Sequence, residues 1–141
     1  MLKVAFASTD RMRVNQHFGA AEGFAIFEVT PDKATLVGVA EFAEEAMDGN
    51  EDKLAAKVDF LEGCAAVYVM AIGASAIKKL MAKGIQPIRI NEVDAIDELL
   101  LEISRAMTEG GVAWVDRALA AQAKAKSDDR FASMAEEGWE G

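Results

Sequence analysis

The chain has 141 residues, 52% of them hydrophobic, with two prolines and a formal net charge of −9. That is enough apolar material for one domain with a core, and too much for a disordered chain. The negative balance disfavours nonspecific nucleic-acid binding, because phosphates would be repelled. No apolar run approaches the ~20 residues needed to cross a bilayer, and the N-terminus lacks the basic-then-apolar order of a secretory signal. The expectation is a cytoplasmic protein that engages neither nucleic acid nor membrane.

Cysteine and histidine each occur once. That excludes an internal disulfide and any zinc or iron–sulfur site held by several cysteines of one chain. A metal centre would need other ligand types, a partner chain, or ligands that arrive with it.

Leu2 to Ser8 alternates Leu2, Val4 and Phe6 with smaller or polar residues, the period of a strand. A polar run that reads as a flexible loop follows, Asp10-Arg11-Met12-Arg13-Val14-Asn15-Gln16, ending in His17-Phe18-Gly19. Phe24–Val29 predicts a second strand, Thr30–Lys33 a turn with Pro31 presetting φ, and Thr35–Ala40 a third strand, together an antiparallel meander. The acidic run from Glu41 to Asp52 reads as a solvated loop feeding a helix. That helix covers Asp52–Glu62, with Leu54, Ala55, Val58 and Leu61 inward, and stops at Gly63.

Cys64–Met70 is almost continuously apolar, as in a strand covered on both faces. Gly73-Ala74-Ser75 starts a helix with Ala76, Ile77, Leu80 and Met81 inward, closed by Lys79, Lys83 and Gly84. Ile85–Ile90 is a short strand, placed at or near an edge by Pro87. Asn91 with Asp94 three residues on resembles a capping box for a helix bearing Val93, Ile96, Leu100, Ile103 and Met107. Gly110-Gly111 ends it, Val112–Lys126 predicts an alanine-rich helix, and from Ser127 the composition is that of a polar, acidic tail.

The order β-β-β-α-β-α-β-α predicts an α/β fold, a mixed five-stranded sheet with helices on both faces. The main domain spans residues 1–107, and residues 108–141 form a C-terminal helical extension and tail. If strands one and four are parallel neighbours, the loop Thr9–Gly19 faces the turn Ala71–Ser75 across a crevice. The helix N-terminus at Gly73, Ala74 and Ser75 would then offer free N–H groups to an anion, with Arg11 and Arg13 adding local positive charge. The nucleotide-phosphate runs GxxxxGK[ST] and GxGxxG are missing.

Two stretches carry a resemblance: Lys3–Thr9 with Val14-Asn15-Gln16-His17-Phe18-Gly19-Ala20-Ala21, and Cys64–Val69 with Ile72-Gly73-Ala74-Ser75-Ala76, Leu80 and Gly84-Ile85-Gln86-Pro87. Over about residues 1–107 the chain resembles the dinitrogenase iron–molybdenum cofactor biosynthesis family. The resemblance implies a ribonuclease-H-like architecture, with the first strand beside the fourth. It also implies transient binding of an iron–sulfur precursor of the iron–molybdenum cofactor, with no catalysis. The implied partners are nitrogenase cofactor assembly proteins: the cluster-making radical-SAM protein and the cofactor scaffold complex. His17 matches the family's histidine motif and is the implied metal ligand, in a site with Arg11, Met12, Arg13, Asn15, Gln16, Phe18, Gly19, Gly73, Ala74 and Ser75.

The chemistry suits these residues. A preassembled cluster brings its own sulfides, so one or two protein ligands suffice, and neutral imidazole ligates iron. Met12 is a softer alternative. Cys64 is the better iron ligand on chemistry alone, but it precedes strand four whereas His17 follows strand one, so parallel packing puts them at opposite edges. A nuclease would need carboxylates gathered at the sheet edge, and neither Leu2–Ser8 nor Cys64–Gly73 has one. The remaining alternative is an anion or small-molecule sensor using the Gly73 helix start.

Overall fold

A computed structural model describes residues 1–42 and 51–125. Residues 43–50, expected as part of an acidic loop, and residues 126–141, the end of the expected helix Val112–Lys126 and the expected tail, lie outside the described residues. The elements in order are β1 (Leu2–Ala7), β2 (Gly23–Val29), β3 (Ala34–Glu41), α1 (Glu51–Phe60), β4 (Ala66–Val69), α2 (Ala74–Ala82), β5 (Gln86–Arg89) and α3 (Ile96–Glu109). A fourth helix, α4, follows over 113–125.

The five strands form one sheet in the order β3-β2-β1-β4-β5. β1 to β3 are the antiparallel meander, and β1 pairs in parallel with β4 in the register Val4↔Ala66 to Phe6↔Tyr68. β4 then pairs in parallel with β5. Pro87 sits in that outer strand, where a missing N–H costs no ladder bond on the solvent side.

Alternation along β1 divides the core. Leu2, Val4 and Phe6 face one side, where they pack with Tyr68, Ile96, Leu99, Leu100, Ile103, Trp114 and Val115, so α3 and the start of α4 cover this face. Ala5 and Ala7 face the other, with Phe18, Phe24, Val58, Leu61, Val67, Val69, Ala76 and Leu80. The small side chains of β1 on that side leave room for α1 and α2 to approach. The outer strand β3 leaves Leu36, Val37 and Val39 exposed.

Two local expectations are corrected, and one contact is added. In α2 only Ala76 and Leu80 are buried, while Ile77 and Met81 are exposed, because a helix on the sheet's flank buries a narrow stripe. Asn91 does not cap α3. That helix begins at Ile96 behind Ala95, and Val93 lies outside it, exposed. α4 joins the core through its first turn: Trp114 and Val115 are buried, and the indole Nε1–H donates to the Tyr68 hydroxyl at 3.2 Å.

Candidate functional site

Where β1 ends, the loop does not trail off. Ser8 is buried, and its hydroxyl accepts the Arg11 N–H at 3.0 Å and donates to Asp10 Oδ1 at 3.1 Å. The same Asp10 oxygen accepts the N–H groups of Met12 (2.8 Å) and Arg13 (3.0 Å). Asp10 therefore builds the turn by presenting a carboxylate to successive backbone donors. The bonds from Arg13 and then Met12 hold its carboxyl below the usual carboxylate range. Arg11 takes a left-handed φ of 63°, a conformation that side chains rarely adopt.

Further along, Asn15 clamps Thr9: its Oδ1 accepts the Thr9 N–H at 3.1 Å, and its Nδ2 donates to Thr9 Oγ1 at 3.0 Å. The polar run expected to be flexible is thus tied at nearly every residue. Its backbone also caps α3, because Ile96 N–H donates to the Met12 carbonyl and Val14 N–H to the Asp94 carbonyl, both at 2.9 Å.

The second half of the loop joins β4. Met70 N–H donates to the Gln16 carbonyl at 3.0 Å, His17 forms a parallel bridge with Ala71, and Phe18 N–H donates to the Ala71 carbonyl at 2.9 Å. Gln16 Oε1 accepts the Glu22 N–H at 3.1 Å. Phe18 is fully buried, its ring centroid 5.6 Å from that of Phe24. It anchors the loop and presents no surface to a ligand. His17 is exposed between these anchors.

The two segments expected to face each other are hydrogen-bonded, which brings His17 to the strand end two residues before Gly73. Gly73 is the N-cap of α2 with φ −85° and ψ 163°, its cap has no side-chain hydrogen bond, and the first turn carries no acidic residue. Gly73, Ala74 and Ser75 are all exposed. No acidic side chain of the first turn therefore offsets the positive end of the α2 dipole, which favours an anion there.

Arg13 is less available than its position implied, since its guanidinium pairs with Asp94 at 2.5 Å. Arg11 and Met12 are exposed on the α3 side of the loop, Met12 at 72%. Among the described residues, no group of three or more His, Cys, Asp and Glu is placed to hold a metal ion. An iron centre seated here would bring its own ligands.

Cys64 lies elsewhere. It is buried at the head of β4, in the core face that also holds Val67 and Leu80. Burial pushes its thiol up to about 11, against a small opposing pull from Lys3. Seven steps of chain, running through β4, lead from Cys64 to Ala71, and at the ~3.3 Å rise of extended chain roughly 20 Å separates the thiol from the His17 edge. A groove of about 390 Å³ near that far edge is lined by residues including Leu2, Lys3, Ala65, Met81 and Trp114, and it touches no residue of the loop.

Lys57 was missed. It is 7% exposed, and its Nζ donates to the Gly19 carbonyl at 2.8 Å and lies 5.8 Å from the Phe42 ring centroid. Position 57 falls three residues after Leu54 and four before Leu61, on the apolar stripe of α1. A lysine there was the available signal.

Residues 1–106 match the family model described as dinitrogenase iron-molybdenum cofactor. The chain belongs to this family. It is 49% identical over 140 residues to Protein NifX of Azotobacter vinelandii, covering 99% of this chain and 88% of that protein. It is 34% identical to Protein NifX of Herbaspirillum seropedicae, covering 84% and 82%. The FeMo cofactor biosynthesis protein NifB of Azotobacter vinelandii is 32% identical over 86% of this chain, which corresponds to 25% of that protein. The NMR structure of a Thermotoga protein of the DUF35 family superposes with a TM-score of 0.53 at 23% identity, covering 78% of this chain and 90% of that one, a likeness of fold alone. Family membership supports a role in making the iron–molybdenum cofactor of nitrogenase.

Proposed function

We propose that this protein is a noncatalytic, cytoplasmic carrier that binds an iron–sulfur precursor of the iron–molybdenum cofactor and passes it between assembly proteins. The observation that carries the reading is His17. It is the chain's single histidine, exposed, and held by a bridge to Ala71 at the edge where β1 and β4 end beside the start of α2. The β3-β2-β1-β4-β5 order supports assigning the sheet to the ribonuclease-H-like architecture.

The chemistry follows from what a preformed cluster lacks. Its sulfides already fill most iron coordination sites, so the carrier supplies one ligand and a tolerant surface. Neutral imidazole binds iron through one nitrogen and adds no charge to an anionic cluster. The exposed N-terminus of α2, from Gly73 to Ser75, offsets the cluster's negative charge through the helix dipole. Met12, exposed on the same loop, is the softer alternative donor. The precursor comes from the cluster-making radical-SAM protein and goes to the cofactor scaffold complex.

The test is anaerobic purification after coexpression with the cluster-making proteins, with iron and sulfide analysis. The carrier reading predicts protein that copurifies with iron and sulfide, or takes up isolated precursor afterwards. Metal-free protein that fails at both contradicts it. Binding of a small anion at the α2 start without iron-dependent absorbance would favour the sensor reading.

A further inference from the structure

Buried polar side chains are expensive unless they are bonded, so their partners show what the fold holds in place. Among the described residues, the buried polar or charged side chains are Ser8 and Lys57. Both bond to the loop that carries His17. Ser8 braces its start through Arg11 and Asp10, and Lys57 reaches across from α1 to the Gly19 carbonyl.

The Lys57 bond falls at a decisive point. Ala21 N–H donates to the Phe18 carbonyl at 3.3 Å, which closes a four-residue turn over Phe18-Gly19-Ala20-Ala21. The central peptide of that turn joins Gly19 to Ala20, and it is the unit that such a turn leaves free to rotate. An ammonium at 2.8 Å holds its oxygen toward the interior. In a planar trans peptide the C=O and the following N–H point in opposite directions, so the Ala20 N–H is turned away from Lys57. Gly19 is exposed and Ala20 half-buried, and among the described residues the Ala20 N–H has no backbone acceptor.

We propose that Lys57 is a positioning residue for the His17 loop. By holding the Gly19 carbonyl inward, it presents the Ala20 N–H outward as a hydrogen-bond donor to the sulfides of an anionic cluster. The cluster as ligand rests on the carrier reading above, whereas the peptide orientation does not. The Phe42 ring, its centroid 5.8 Å from the ammonium, adds a cation–π contact.

The experiment has one arm without cargo and one with it. In amide NMR spectra of the cluster-free protein, Lys57→Met should shift the resonances of residues 17–21 and leave those of β1 and β4 in place. In wild type the Ala20 amide should exchange freely with solvent, a measurement that stands even if Lys57→Met fails to fold. With a synthetic four-iron four-sulfide thiolate cluster titrated anaerobically, Lys57→Met should bind roughly tenfold more weakly, the scale of a lost supporting contact. Lys57→Arg, which keeps a donor, should recover affinity. Unchanged 17–21 resonances in folded Lys57→Met, or a protected Ala20 amide in wild type, would overturn the proposal. Failure of wild type to bind the cluster would count against the carrier reading and leave the NMR arm to decide the positioning role.

Discussion

Cys64 and Tyr68 are acids that burial keeps protonated, and this links stability to alkaline pH. Burial pushes the thiol up to about 11 from 9.0 and the phenol up to about 12 from 10.0. Above each ordinary value the unfolded chain ionises while the folded one does not, so folding takes up protons and stability falls as pH rises. These two groups leave stability unchanged below about pH 9, lower it between 9 and 11 through Cys64, and lower it further through Tyr68. Denaturant titration of Cys64→Ala should remove the first part, on the order of 1–2 kcal/mol by pH 11. At neutral pH the same variant should lose about 1 kcal/mol of packing and keep its cluster affinity. A folded Cys64→Ala protein without affinity would contradict the separation of thiol and loop. The distance of Cys64 from the loop was legible once the resemblance put β1 parallel to β4, a pairing the structure has. Lys57 was not, because a charged residue on an apolar stripe reads as an end of the stripe until its partner, 38 residues away, is seen.

At the scale of elements, α3 and α4 show where local signals stop. Asn91 and Asp94 have capping-box spacing, yet Asp94 spends its carboxylate on Arg13 and its carbonyl on Val14. The Ile96 N–H at the start of the helix is satisfied by the loop's Met12 carbonyl instead. A tertiary contact replaced the local cap, which no window of sequence could show. The far end was legible: Gly110 has φ 74°, a conformation its missing side chain permits. α4 was legible as a helix but not as part of the core, since alanine-rich periodicity does not reveal that Trp114 reaches Tyr68. Trp114→Ala should therefore destabilise the whole domain by about 3 kcal/mol, the cost of truncating a large core side chain. Urea unfolding would measure it, and a loss under about 0.5 kcal/mol, typical of surface positions, would show that α4 does not pack as described.

At the scale of the molecule, one sheet makes the site. The meander places β1 beside β4, their parallel register ends both strands at one edge, and the chain must turn there twice, through the His17 loop and the Gly73 turn. Element order and edge strand were legible because hydrophobic periodicity and Pro87 report them directly. The placement of β1 beside β4 came only with the family resemblance, since periodicity does not fix strand order. The bonding of the loop was hidden, because it runs between polar residues whose partners include the end of β4 and the start of α3. The central claim is that this edge presents His17 as the protein's ligand to a preformed cluster. Its most direct test is an anaerobic titration of wild type and His17→Ala with isolated precursor, followed by iron-dependent absorbance, alongside thermal unfolding of both. The account predicts nearly equal melting temperatures, because the histidine is exposed, and affinity at least about tenfold weaker in the variant, a difference of about 1.4 kcal/mol. Equal affinity in two folded proteins would contradict it and move the search to Met12 or to a residue of the partner.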